Sequence, residues 1–76
     1  MSTTTLADAP VGKRVRIHEL LSAPELSQRL RELGFCENAI ICCMVNNEGN
    51  LICQVCDSRV GLTRKVAGDI VVSSLL

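Results

Sequence analysis

The stretch from Ser22 to Phe35 constrains this chain more than any other, because it alone carries the marks of both helix ends. Ser22 and Glu25 stand at capping-box spacing, where a hydroxyl and a carboxylate satisfy free N–H groups of the first turn. Pro24 falls inside that turn, where a missing N–H does no harm. Leu26, Leu30 and Leu33 recur at helical spacing as one apolar stripe, and Gln28, Arg29, Arg31 and Glu32 face away from it. Gly34 supplies a left-handed stop, and Phe35 follows at the position that folds back onto the last turn, toward Leu30. A helix of about three turns is too short to persist alone in water. Its stripe must therefore cover a body built by the rest of the chain.

That body reads as strands. Residues 13–20 alternate, with Val15 and Ile17 on one face and Arg14, Arg16 and His18 on the other. Residues 36–39 form a tight turn in which Asn38 tolerates positive φ. Residues 39–45 are a strand rich in β-branched side chains, 46–50 a hairpin loop and 51–56 the returning strand. Asp57 and Ser58 turn the chain into a fourth strand over 59–63. Residues 64–69 are a tight turn or a single 3₁₀ turn, and 70–73 a fifth strand. Ahead of all this, residues 1–5 are polar and expected to fray, and 6–12 read as a turn segment with Leu6 anchored in the core. Five short strands with close turns, and one short helix between strands 1 and 2, predict a mainly β fold. The expected architecture is one domain over residues 1–76, a small five-stranded barrel with the leucine stripe plugging one open end.

Composition limits what such a domain does. The 76 residues hold eight basic and eight acidic side chains, a formal net charge of zero, and a single aromatic, Phe35. A nucleic-acid binder normally shows a basic excess and aromatic stacking platforms, so no nucleic-acid partner is expected. No secretory signal is visible, and the longest apolar run, residues 39–45, falls far short of the ~20 residues that a spanning helix needs. The expectation is a soluble, cytoplasmic protein with no direct membrane insertion, its five cysteines reduced.

The one motif with metal-ligand spacing is Cys53-Gln-Val-Cys56, which Cys36, Cys42 or Cys43 could complete as a thiolate site. On a strand, however, Cys53 and Cys56 point to opposite faces, because three is an odd number of steps. The adjacent Cys42 and Cys43 split in the same way. The favoured reading makes one member of each pair a small apolar core residue, with a metal site or a redox couple as the alternatives. His18 stands alone on a polar face, and no catalytic constellation or phosphate loop is present. The chain is therefore read as a non-enzyme without a cofactor. Arg14 and Arg16 on the first strand and Arg29 and Arg31 on the helix are the candidate partner-binding residues, either a solvated surface or a contact for an acidic patch.

Thr5-Leu6-Ala7 with Val11-Gly12, then Leu30-Arg-Glu-Leu-Gly-Phe35, an apolar strand and hairpin, Ser58-Arg-Val-Gly-Leu62 and Ala67-Gly-Asp-Ile70-Val-Val72 follow one another in an order that resembles the ferrous iron transport protein A family. The resemblance covers nearly the whole chain. It implies an SH3-like β-barrel and a small cytosolic accessory that modulates a membrane ferrous iron permease through the permease's cytoplasmic GTPase portion. The same barrel resembles the C-terminal interaction domain of iron-dependent repressors. Two positions depart from the family pattern, with Asn38 and Asp57 where glycine is usual. Both types tolerate left-handed backbone. The cysteines have no counterpart in that pattern, so the alternative of a metal-binding regulator or metallochaperone rests on their number alone. Whether the chain forms homo-oligomers is left open.

Overall fold

The computed structural model describes residues 3–75. Strand β1 (Thr3–Thr5) leads into a 3₁₀ turn (Leu6–Asp8), followed by β2 (Arg14–Leu20), α1 (Pro24–Glu32), β3 (Ile40–Asn46), β4 (Asn50–Val55), β5 (Ser58–Thr63), a short α2 (Arg64–Ala67) and β6 (Ile70–Ser74). The strands form one antiparallel six-stranded sheet in the order β1-β6-β2-β3-β4-β5.

Three features of the expected barrel are corrected. The strands number six because Thr3–Thr5, read as a fraying end, pairs with β6 through Thr3↔Ser73, Thr4↔Val72 and Thr5↔Val71; Met1 and Ser2 lie outside the described residues. Three threonines carry no apolar alternation to announce a strand, yet their β-branched side chains suit an extended ladder. Consequently α1 lies between the second and third strands, not the first and second. Finally, no ladder joins β1 to β5 among the described residues, so the sheet is open rather than a closed barrel. The three-residue β1 ends where the 3₁₀ turn begins, too early to reach β5.

The opening is filled by short helical pieces. The 3₁₀ turn packs on β6 and on α2, and α2 in turn packs on β4 and β5. Leu6 and Ala67 are both fully buried there. One side chain ties these pieces to the sheet. Asn46, at the end of β3, donates from Nδ2 to the carbonyls of Ala7 (3.0 Å) and Ala9 (3.5 Å), and its Oδ1 accepts from Arg64 Nη1 on α2. The core beneath is aliphatic, built from Leu6, Ile17, Leu30, Ile41, Leu51, Ile70 and Val72 around Phe35, with Cys43 and Cys53 as small fillers.

Helix α1 starts one residue later than capping-box spacing suggests. Pro24 occupies the first helical position, so Ala23 becomes the N-cap and makes no side-chain cap bond. Ser22 is left outside, its Oγ buried without a hydrogen-bond partner, while Ser27 Oγ donates to the Ser22 carbonyl (3.0 Å). At the other end the expected stop is present. Gly34 takes φ +106° and donates to the Arg31 carbonyl (3.1 Å), and Phe35 N–H donates to the Leu30 carbonyl (2.9 Å), the paired bonds of a Schellman motif. Leu30 and Phe35 are buried and Leu26 is half-buried, but Leu33 is 46% exposed. Leu33 is the C-cap, the last residue with helical backbone before the chain reverses at Gly34. Of the two turn positions that lack the usual glycine, Asn38 takes the left-handed conformation (φ 72°). In the β4–β5 turn the left-handed residue is Cys56 (φ 56°), not Asp57. Val55 pairs with Ser58, which leaves a two-residue hairpin loop, and primed turns place positive φ at the first of those two positions.

Two substitutions test this packing. A Cβ on Gly34 would lie 2.5 Å from Val55 Cγ1, so Gly34→Ala should lower stability by roughly 1–3 kcal/mol through overpacking and left-handed strain. A urea midpoint equal to wild type would show the α1–β4 contact to be slack. Asn46→Ala removes partners from two backbone carbonyls and a guanidinium, an expected loss of about 1–3 kcal/mol in the same assay; an unchanged midpoint would show that the opening is held without it.

Candidate functional site

The sheet turns the alternate residues of β2 to β5 outward. Arg14 stands opposite Cys42, Cys42 opposite Gln54, and Gln54 opposite Arg59, a row across four strands that begins and ends on arginine. Arg16 stands opposite Ile40 in the next row. A bulge between Cys43 and Val45 shifts the register, after which Val45 faces Ile52 and Ile52 faces Gly61. A shallow groove of about 290 Å³ opens on this face, lined by Arg14, Ile40, Ile41, Cys42, Gln54 and Cys56.

The four candidate arginines divide between two surfaces. Arg14 and Arg16 are exposed on the outer side of β2. Arg29 and Arg31 sit on α1, and Arg31 is already engaged: its Nε and Nη2 donate to the two carboxylate oxygens of Glu37 (3.2 and 3.0 Å). The chain reversal at Gly34 and Phe35 brings Glu37 back beside the helix. This guanidinium holds the Glu37 carboxyl down at about 2, well below the usual carboxylate range, and the same pairing raises Arg31. Arg29 is exposed at the edge of a hollow formed with Ala23, Glu25 and Leu26.

The cysteines separate by face. Cys43 and Cys53 oppose each other across the β3–β4 ladder and are fully buried, whereas Cys56 and Cys36 are exposed and Cys42 is half-buried. Cys43 Sγ donates to the Val45 carbonyl (3.5 Å). Burial pushes the Cys53 thiol up to about 12 and raises that of Cys43 as well. The thiolate is the form that ligates metals and attacks disulfides, so Cys53 is poorly suited to act with Cys56. Among the described residues no three His, Cys, Asp or Glu side chains converge as a metal-holding group. His18 is exposed on β2.

What the strand-by-strand reading missed is the apolar part of the outer face. Its signal was present in Ile40-Ile-Cys-Cys-Met-Val45, a continuous apolar run in a hairpin strand. An antiparallel sheet with one wet face normally alternates, so an unbroken run implies apolar side chains on both sides.

The chain is thus a small, open, antiparallel β domain with a buried thiol pair inside and an arginine-rimmed apolar face outside. The sequence profile of the FeoA domain matches residues 4–74, and the chain belongs to that family. Its fold is similar to a crystal structure of an iron uptake regulatory protein, FeoA, with TM-score 0.87 and 21% identity over 99% of this chain and 100% of that one. It is similar to the FeoA protein from Chlorobium tepidum, with TM-score 0.85 and 18% identity over 96% of this chain and 71% of the other. It is also similar to part of a manganese-dependent transcriptional repressor, with TM-score 0.86 and 17% identity over 96% of this chain and 42% of that one. No functionally curated protein matches the chain.

The buried thiols carry a pH prediction. A thiol raised above its ordinary 9.0 leaves stability intact below that pH and removes it progressively as pH climbs toward 12, because only the unfolded chain then ionises freely. The urea midpoint should fall over that range, and Cys53→Val should flatten the fall. An unchanged slope would show that another group titrates.

Proposed function

We propose that the protein is a non-enzymatic, cytoplasmic accessory of ferrous iron uptake that binds the cytoplasmic GTPase portion of a membrane ferrous iron permease and modulates it. Membership of the FeoA family, which implies a role in ferrous iron transport, is the observation that carries this reading. The mainly β architecture fits an SH3-like interaction module, and the similar structure described as an iron uptake regulatory protein supports regulation over catalysis. No helix among the described residues is long and apolar enough to cross a membrane; in this reading the protein reaches the membrane through its partner. The thiol-based alternative, a metal-binding regulator or metallochaperone, is the weaker one, because Cys53 is sealed in the core and held protonated while Cys56 faces water.

The test is a titration of the protein onto the immobilised GTPase portion of the permease, with and without ferrous iron. Saturable binding is expected in at least one condition. No binding in either, combined with tight ferrous iron binding at one equivalent per chain, would reject the accessory reading in favour of the metal carrier.

A further inference from the structure

We infer that the outward face of β2–β5 is a docking surface for an acidic segment of a partner protein that also presents apolar side chains. The inference deepens the accessory reading by naming the chemistry of the contact, and it rests on that reading only for the partner's identity.

Ile40, Val45 and Ile52 are 46%, 36% and 37% exposed, and Val45 and Ile52 are direct cross-strand neighbours. Gly61, opposite Ile52, has no side chain to cover it. These residues form an apolar strip down the middle of the face. Arg14 and Arg16 border it on the β2 side and Arg59 on the β5 side. The groove beside Ile40 runs between Arg14 and Cys56 on the same face. The chain as a whole is neutral, but none of its eight acidic residues falls in these rows. The nearest carboxylate along β2 is Glu19, beyond the bulge that follows Ile17 and paired toward β6, so the rows around the apolar centre carry arginine alone.

Such a pattern selects its occupant. Guanidinium groups pair best with carboxylates, in bidentate geometry, and an apolar strip with a charged rim is the ordinary anatomy of a protein contact. A second copy placed face to face would set two arginine-rimmed surfaces against each other, a like-charge contact that disfavours self-pairing. Nucleic acid also offers negative charge, but the face provides no aromatic ring for a base to stack on.

The probe is a short synthetic peptide alternating Glu and Val, followed by amide chemical-shift mapping on the full chain, with a Lys/Val peptide and a single-stranded RNA as comparisons. The Glu/Val peptide should shift Ile40, Cys42, Val45 and Ile52. The double variant Arg14→Glu/Arg16→Glu should weaken it about tenfold, Ile40→Ser should weaken it similarly, and Arg29→Glu on the helix should leave it unchanged. Shifts confined to other surfaces, equal binding of the Lys/Val peptide, or stronger binding of the RNA would overturn the inference. The same variants are then titrated against the permease's GTPase portion. Equal binding of wild type and the double variant there overturns the docking face and leaves the accessory reading standing. Peptide binding on the face without wild-type binding to the GTPase portion does the reverse.

Discussion

The carboxamide of Asn46 is the contact on which the architecture depends. A six-stranded sheet that does not close on itself leaves two edges and an uncovered interior between them. Here that gap is filled by a 3₁₀ turn and a four-residue helix, neither of which is stable as an isolated element. Asn46 reaches both at once, donating to Ala7 and Ala9 and accepting from Arg64. Leu6 and Ala67 can then be sealed beneath them. A side chain on the central hairpin thus substitutes for the strand pairing that a barrel would use.

Much of the fold is local in origin and for that reason legible in the sequence. The alternation of Val15 and Ile17 with Arg14 and Arg16, and the Gly34–Phe35 stop, depend only on neighbours in the chain. What escaped was set at a distance or by a competing rule. Thr3–Thr5 becomes a strand because β6 offers it an edge, and nothing in three threonines says so. The cap at Ser22 is displaced because Pro24 fixes where the helix begins. The left-handed position at Cys56 follows from the register of Val55 with Ser58, which no single residue type reveals.

The candidate site divides along the same line. The parity argument that separates Cys53 from Cys56 and Cys42 from Cys43 is a property of any strand, and the burial pattern agrees with it. The division of the candidate arginines between strand and helix is also local: Arg14 and Arg16 alternate with Val15 and Ile17, and Arg29 and Arg31 lie off the leucine stripe. That Arg31 is occupied by Glu37 is not local, because the chain reversal at Gly34 brings the two together. Sequence reading likewise gives no way to know that Arg14 and Arg59 end the same row, since three strand pairings lie between them.

The pairing of the first strand with the last has a practical outcome. Thr3 lies beside Ser73 at the margin of the sheet, while β5, with Arg59, forms the opposite margin. The last strand, by contrast, runs inside that margin: Ser74 pairs with Val15 of β2, and Ser74 and Leu75 line a hollow with Lys13 and Arg14. A tether joined ahead of β1 therefore leaves the arginine-framed side open to solvent, whereas one joined after β6 crowds Arg14.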